Sequence, residues 1–205
     1  IRGAHQSGHD VIRFDAAHKD VHPCIACERC HSAVSACTFR DDFDELKDEI
    51  IEADAVVFLS PIYYYGMTAQ IKTVIDRFYA IDSQIHKNKK TALMLAFADT
   101  TMESAQGALA SYYGMVDYLE WEIVDVIAAG KSQTPEDILN TDFPKQAYEL
   151  GRKILGEVKP EEDEKTVTSL NDLVARLANF SQFAEEALKE TEEKDVFLDS
   201  ADFLE

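Results

Sequence analysis

Blocks of apolar residues alternate with amphipathic stretches along the chain as far as about residue 158. Ala55–Leu59 and Thr91–Phe97 are almost continuously apolar, a pattern typical of strands buried on both faces of a parallel sheet. Shorter segments predict two more strands, Val11–Asp15 and Trp121–Ile127. Between the strands, apolar residues recur at helical spacing. This periodicity predicts helices over residues 42–52, 69–80, 103–118 and 145–157.

Strands that alternate with helices predict an α/β fold, a doubly wound parallel sheet covered by helices on both faces and therefore three-layered. In such sheets, ligands bind at the carboxyl ends of the strands. Three loops follow predicted strands: the cysteine-rich loop after Asp15, Ser60–Met67 and Ala98–Glu103. We expect these loops to meet at one edge of the sheet and to form a site there.

The composition changes after residue 158. Residues 159–205 hold 14 acidic and 5 basic residues, a net charge of -9 out of -19 for the whole chain of 205 residues. Apolar positions between Thr168 and Lys189 predict an amphipathic helix in this segment. We therefore divide the chain into a core domain, residues 1–158, and an acidic helical extension, residues 159–205.

The charge and the hydropathy exclude several classes of partner. An acidic surface repels phosphate backbones and anionic lipids, so we expect no nucleic acid and no membrane among the partners. The chain has no run of 18 consecutive apolar residues, and its opening sequence, IRGAHQSGHD, is polar. We therefore expect neither a membrane-spanning helix nor a signal peptide. Accordingly, we expect a cytoplasmic location.

All four cysteines lie within 14 residues, spaced C-x2-C-x2-C-x6-C: Cys24, Cys27, Cys30 and Cys37. Disulfide frameworks spread their cysteines over distant loops, whereas thiols this close together suit one shared metal site. Tetrahedral thiolate sites hold zinc or an iron–sulfur cluster, and the C-x2-C-x2-C run is closest to ferredoxin-type [4Fe–4S] loops. Three interpretations stay open at this point: a cluster, a zinc ion, or a reduced thiol loop without metal.

The segment SPIYYYGMTAQIKTVIDR, residues 60–77, joins a strand to a helix through three consecutive tyrosines. Each tyrosine hydroxyl needs a polar partner, so three in a row are poor core material and favour a flat wall for a planar ligand. Gly66 allows the backbone to approach such a ligand closely. A tyrosine-rich surface loop or dimer loop is the alternative.

This segment resembles the flavodoxin-like NADPH-dependent FMN reductases, whose pattern here is S-P-[IV]-Y-[YF]-x-G/S-M/x-[TS]-A-x-[IL]-K-x-x-[IL]-D-R. The preceding segment, P-C-x-x-C-x-x-C…C-x3-D-D, resembles the iron–sulfur flavoprotein branch of that family. The motifs occur in the family's order, and the resemblance covers about residues 5–157. It implies a five-stranded parallel sheet of order 2-1-3-4-5 with FMN at the strand ends. It also implies homodimers or dimers of dimers, and electron transfer from reduced pyridine nucleotide or ferredoxin.

The resemblance also implies roles for particular residues. The turn after the strand would line the isoalloxazine ring of FMN and bond the ring's edge through backbone N–H groups. The residues of this turn are Ser60, Pro61, Ile62, Tyr63, Tyr64, Tyr65, Gly66 and Met67. The end of the next strand would add further ring contacts through Asp99, Thr100 and Thr101. The four cysteines would hold a [4Fe–4S] cluster that exchanges single electrons with the flavin. No catalytic acid or base is expected, because the flavin carries the chemistry. Asp76 and Arg77 are expected to form a structural pair at the helix end.

The family pattern begins with a strand and a G-S-P-R-x-x-[GS]-N-T loop that cradles the FMN phosphate. Here Gly3–Asp10 resembles the end of the helix that follows that loop, so the first strand and the phosphate loop have no counterpart in the sequence. Three explanations are open. The sequence is a piece of a longer chain, another segment such as Asp195–Ser200 fills the gap, or a partner chain supplies the strand.

Two functions from different classes follow. The first is an FMN-dependent oxidoreductase that transfers electrons from NAD(P)H or a reduced redox protein to a small acceptor. If the cysteines hold an iron–sulfur cluster, the electrons pass through that cluster. The second is a non-catalytic, zinc- or thiol-bearing interaction protein on a degenerate flavodoxin-like scaffold. A third idea, a thiol–disulfide switch that uses Cys24 and Cys27, lacks the thioredoxin-like chain order.

Overall fold

The computed structural model describes residues 1–33 and 36–156. The acidic extension and its expected helix lie outside the described residues. Within the described part, the α-helices are α1 Arg2–Gln6, α2 Phe43–Glu52, α3 Ala69–Asp76, α4 Asp82–Ile85, α5 Gln106–Leu119, α6 Pro135–Leu139 and α7 Phe143–Lys153. The strands are β1 Ala55–Tyr63, β2 Gly66–Met67, β3 Lys90–Ala96 and β4 Glu122–Ala129. Short 3₁₀ turns occur at Ala16–His18, Arg29–His31, Arg77–Ala80 and Met102–Ala105.

The strands form one sheet in the order β2-β1-β3-β4. β1 runs parallel to β3, in register from Ala55 opposite Lys90 to Pro61 opposite Ala96, and β3 runs parallel to β4. The short β2 folds back and pairs antiparallel with the end of β1. The doubly wound α/β fold is therefore confirmed, although the sheet is mixed because the tyrosine segment turns back on β1.

Helices cover both faces of the sheet. On one face, Phe58 and Leu93 belong to the same apolar cluster as Tyr112 of α5. On the other face, Ile127 packs in a second cluster with Leu150 of α7. The sheet lies between these clusters, which is the three-layer arrangement that its apolar strands predict. None of the helices in the described ranges has the length and apolarity needed to cross a bilayer.

The predicted strand at residues 11–15 is wrong, because these residues form no strand and lead into the 3₁₀ turn at Ala16–His18. A strand needs a neighbour for its backbone groups, and these residues pair with none in the described part of the chain. Phe14 instead packs against the core. A short alternation of apolar and polar residues is a local signal, whereas strand pairing depends on the whole sheet.

Three predicted helices have different bounds from those expected. The helix expected over residues 103–118 is the α-helix Gln106–Leu119, which follows the 3₁₀ turn Met102–Ala105. The helix expected over residues 69–80 ends at Asp76 and tightens into the 3₁₀ turn Arg77–Ala80. The helix expected over residues 145–157 begins at Phe143 and includes Pro144 in its first turn. Proline fits that position because its missing N–H would have had no partner in the helix.

The side of β1 that faces away from β3 is open over most of its length. Among the described residues, β1 has only β2 as a neighbour on this side, and that pairing involves Ile62 and Tyr63 alone. Next to this open stretch, Leu59 is 67% exposed and Val57 is also exposed. The three explanations for the missing first strand stay predictions.

Candidate functional site

The tyrosine segment is a tight β-hairpin at the carboxyl end of β1. Tyr63 pairs with Gly66, so Tyr64 and Tyr65 alone form the turn. Both turn residues have a positive φ, 48° and 66°, as a type I′ turn requires. Glycine or asparagine usually takes such positions, because a large side chain crowds the left-handed backbone. Strain of this kind concentrates at binding sites.

The hairpin presents its aromatic rings to solvent. Tyr64 is fully exposed, and Tyr63 and Tyr65 are also exposed. Adjacent exposed rings form an apolar patch of the kind that marks an interaction surface. Their hydroxyl rims and flat faces suit a planar ligand that carries polar atoms at its edge.

Two contacts fix the position of the hairpin. The buried Ser60 hydroxyl accepts the Thr68 N–H at 3.0 Å and donates to the Pro61 carbonyl at 2.7 Å, which closes the base of the hairpin. The Tyr65 carbonyl packs on Gly107 in the first turn of α5. A Cβ atom at position 107 would lie 2.3 Å from that carbonyl oxygen. The hairpin and α5 can approach this closely only because residue 107 has no side chain.

The loop after β3 is organised by the Asp99 carboxylate. Its oxygens accept the Ser104 hydroxyl at 2.5 Å, the Thr100 N–H at 2.6 Å and the Thr101 N–H at 3.4 Å. These hydrogen bonds, that of Ser104 foremost, lower the pKa of Asp99 below its ordinary value. The Asp99 carbonyl accepts the Lys131 N–H at 2.9 Å and so holds the loop after β4. The loops after β1, β3 and β4 therefore lie together at one edge of the sheet.

The four cysteines line one shallow cleft. They form no disulfide, and Cys24 and Cys27 are exposed whereas Cys30 and Cys37 are half-buried. Burial raises the pKa of the Cys30 thiol, and the neighbouring Cys37 and Cys24 thiols raise it further. The structure thus gathers the predicted thiol set in one place.

The backbone of the cysteine loop is tightly coiled and braced from outside. Ala26 and Glu28 flank Cys27, and both have left-handed backbone, with φ of 52° and 57°. The Tyr79 hydroxyl donates to both carboxylate oxygens of Glu28, at 2.9 and 3.0 Å. The His31 ring lies 4.4 Å from the Tyr79 ring. These contacts hold the loop against the 3₁₀ turn that follows α3.

A buried ion pair beside the cleft was not predicted. Arg77 and Asp41 have side chains that are 1% exposed, and Nη1 of the arginine lies 2.6 Å from Oδ2 of the carboxylate. The expected pairing of Arg77 with Asp76 is wrong, because Asp76 bonds Lys72 one turn earlier in α3. Residues four apart share a helix face, whereas adjacent residues do not.

Asp41 connects three segments around the cleft. In addition to the Arg77 guanidinium, its carboxylate accepts the His22 N–H at 3.0 Å and the Phe43 N–H at 3.1 Å. Burial alone raises the pKa of Asp41, but the Arg77 guanidinium and the N–H groups outweigh burial and hold the pKa below its ordinary value. The carboxylate therefore stays ionised and fixes the cysteine loop to α2 and to the end of α3.

The cysteine cleft does not belong to the edge that carries the tyrosine hairpin. Its walls include Phe39 and the 3₁₀ turn with Arg77 and Tyr79. α3 begins just after the hairpin, and its 8 residues span roughly 12 Å before that turn. The expectation that the cysteine loop joins the other two loops is wrong, because the loop does not start from a strand of the sheet.

The profile of the NADPH-dependent FMN reductase family matches residues 1–129. Over 156 residues, the chain is 33% identical to an iron-sulfur flavoprotein of Archaeoglobus fulgidus, which covers 75% of this chain and 68% of the relative. An iron-sulfur flavoprotein of Methanocaldococcus jannaschii is 33% identical over 85 residues, which are 42% of this chain and 41% of the relative.

Solved structures agree on the fold. The azoreductase AzrA superposes with a TM-score of 0.53 and 18% identity, covering 73% of this chain and 86% of its own. At that identity, the likeness concerns the flavodoxin-like architecture alone. The family profile, in contrast, matches well over half of the sequence and includes both the cysteine loop and the tyrosine hairpin. This chain therefore belongs to the NADPH-dependent FMN reductase family.

Proposed function

We propose that this protein is an FMN-dependent oxidoreductase that passes electrons from NAD(P)H or a reduced redox protein to a small acceptor. The observation that carries the proposal is the strained, exposed tyrosine hairpin, locked onto α5 by the Tyr65–Gly107 contact. Bound FMN supplies both two-electron and one-electron redox chemistry. The protein's task at this site is to bind the ring, orient it and shield one of its faces.

The residues of the strand-end edge divide this task. The rings of Tyr63, Tyr64 and Tyr65 provide the flat wall, and the turn backbone between them provides N–H groups for the edge of the isoalloxazine. The Asp99 carboxylate is used within its own loop, so we assign it the role of holding Thr100 and Thr101 in place. The roles proposed here concern the isoalloxazine ring. We assign binding of the FMN phosphate to none of the described residues.

We further propose that Cys24, Cys27, Cys30 and Cys37 bind a [4Fe–4S] cluster. Four free thiols on one cleft are the donor set that such clusters take. Within residues 1–33 and 36–156, no three side chains of the metal-binding types converge closely enough for a single ion. The choice of a cluster over zinc rests on the C-x2-C-x2-C spacing, which is closest to that of ferredoxin-type loops.

The proposal is tested on protein purified without oxygen. FMN and riboflavin are titrated in, with quenching of flavin fluorescence as the signal. Riboflavin has the ring but no phosphate, so a site built from the hairpin should bind both ligands. NADPH, NADH and reduced ferredoxin are then added in turn while the flavin absorbance is followed. Iron, sulfide and zinc are measured per chain.

Each part of the proposal can fail separately. Protein that binds neither flavin contradicts the ring site. Bound flavin that none of the three donors bleaches contradicts the assigned donors. Stoichiometric zinc in place of iron, together with an empty ring site, would favour the non-catalytic interaction protein. The homodimer or dimer of dimers implied by the resemblance stays a prediction, which sedimentation equilibrium would test.

A further inference from the structure

Arg77 is a buried cation in the wall of the cysteine cleft. It is 1% exposed and lines the cleft together with the four thiols. One nitrogen, Nη1, donates to Asp41 at 2.6 Å and to the His22 carbonyl at 3.0 Å. The Cζ atom of Arg77 lies 5.5 Å from the centre of the Phe39 ring and 4.8 Å from the centre of the Phe43 ring. The guanidinium is therefore held in one position by an anchor and two rings.

The other two nitrogens of Arg77, Nε and Nη2, are buried and have no acceptor among the described residues. A buried donor without a partner is destabilising, and more so when it is charged. Asp41 balances the charge of the guanidinium but leaves these two N–H groups unused. Buried unsatisfied groups of this kind require an explanation, and the adjoining surface is the sulfur-lined cleft.

We propose that Arg77 is a positioning and tuning residue of the cysteine site. Nη1 holds Asp41 and the His22 carbonyl, while Nε–H and Nη2–H donate hydrogen bonds to sulfur atoms of the thiolate-bound cluster. This role rests on the proposal that the cysteines bind a cluster. Charge-assisted donors match anionic sulfur, and hydrogen bonds to sulfur are among the factors that set a cluster's reduction potential.

The sign of the effect follows from charge. Reduction adds an electron to the cluster, so N–H···S bonds stabilise the reduced form more than the oxidised form. Removal of these donors should therefore lower the midpoint potential. An arginine that served only as a structural support for Asp41 and the loop would leave the potential unchanged.

Arg77→Lys isolates the two donors, because a lysine ammonium can keep the charge and the bond to Asp41 but lacks the guanidinium fork. Arg40→Lys is the matched control, since Arg40 is an exposed residue of the same region paired with Asp44. Full chains are reconstituted without oxygen with ferrous iron and sulfide. Iron content, thermal melting and the midpoint potential of the cluster absorbance are measured for the wild type and both variants.

We expect Arg40→Lys to match the wild type. In Arg77→Lys, the one-electron equilibrium constant should fall at least tenfold, which is a potential about 59 mV lower. If a folded Arg77→Lys protein holds too little iron for a potential to be measured, the double variant described next takes its place. If Arg77→Lys does not fold, Asp41→Asn combined with Arg77→Gln removes both charges, leaves no buried charge unpaired, and should lower the potential likewise.

Two results would overturn the role of Arg77, and they differ in what else they overturn. Wild-type iron content and potential in Arg77→Lys would show that the guanidinium is a support only, and the cluster proposal would stand. Wild-type protein that takes up no iron would remove the cluster proposal and the role of Arg77 together.

Discussion

Gly107→Ala tests the contact on which the proposed flavin site depends. The new Cβ would lie 2.3 Å from the Tyr65 carbonyl oxygen, whereas ordinary contacts begin near 3.4 Å, so hairpin and helix must separate by about 1.1 Å. The obstacle is backbone, so a side-chain rotation cannot relieve it. Overpacking of this kind costs about 1–3 kcal/mol, and the helix propensity of alanine returns at most about 1 kcal/mol.

Gly114→Ala is the matched control, because position 114 lies in the same helix and a Cβ there meets nothing within 4 Å. This substitution should stabilise the protein by up to about 1 kcal/mol. At about 2–4 °C per kcal/mol for a chain of this size, Gly107→Ala should melt several degrees below the wild type, and Gly114→Ala slightly above it. The buried Trp121 is the only tryptophan and reports the transition by fluorescence.

Flavin affinity is the decisive measurement. A displacement of about 1 Å in a binding loop should weaken riboflavin binding at least tenfold in Gly107→Ala, and Gly114→Ala should bind as the wild type does. If both variants melt alike and bind riboflavin with the wild-type affinity, the Tyr65–Gly107 contact does not position the hairpin. That result would mean that the hairpin moves freely relative to α5.

Other predictions concern single groups. Asp41→Asn leaves Arg77 buried without its anion and should lower the free energy of unfolding by about 3–5 kcal/mol, measured by urea titration. The folded-state pKa of Asp41 is lowered, so the stability that this carboxylate contributes should be fully present above its ordinary pKa of 3.8 and should be lost as the pH falls through the folded-state pKa. An Asp41→Asn protein whose acid unfolding is as steep as that of the wild type would contradict this pH dependence. Lys89→Met removes a buried ammonium that donates to two carbonyls at the end of α2, at 2.8 and 2.7 Å. The free energy of unfolding should fall by about 1–3 kcal/mol, and the melting temperature with it. An unchanged melting temperature would show that these hydrogen bonds do not stabilise the fold. Tyr64→Asn relieves left-handed strain and should stabilise the protein by about 1 kcal/mol while it weakens flavin binding; weaker binding without stabilisation would show that Tyr64 is not strained.

The sequence predicts those parts of the fold that depend on local pattern. Ala55–Leu59 lies in β1 and Thr91–Ala96 in β3, since continuously apolar runs favour strands inside a covered sheet, although Val57 and Leu59 of β1 are exposed. Val11–Asp15, a short alternation of apolar and polar residues, also predicts a strand but has no strand neighbour among the described residues. Period and composition indicate that a segment can be a strand, whereas the pairing that makes it one is a property of the sheet.

The parts of the site that were missed depend on backbone geometry or on distant pairs. Tyr64 and Tyr65 are poor turn residues by propensity, so their hairpin could not be expected from the sequence. The partner of Arg77 lies 36 positions away, at Asp41. One signal was available: Asp41 and Asp42 are adjacent before α2, and a helix start needs only one capping carboxylate.

The two proposed cofactor sites are built by separate contacts at opposite ends of α3. The hairpin at the start of α3 is positioned by Gly107, and the cleft beyond its end is positioned by Asp41 and Arg77. No residue is shared between these two sets of contacts. Substitution of Gly107 should therefore lower flavin affinity and leave the cluster's iron content and potential unchanged, whereas substitution of Arg77 should lower the cluster's potential and leave flavin affinity unchanged. Loss of both cofactors in either variant would mean that α3 moves as one rigid unit with both sites, and that the sites are not independent.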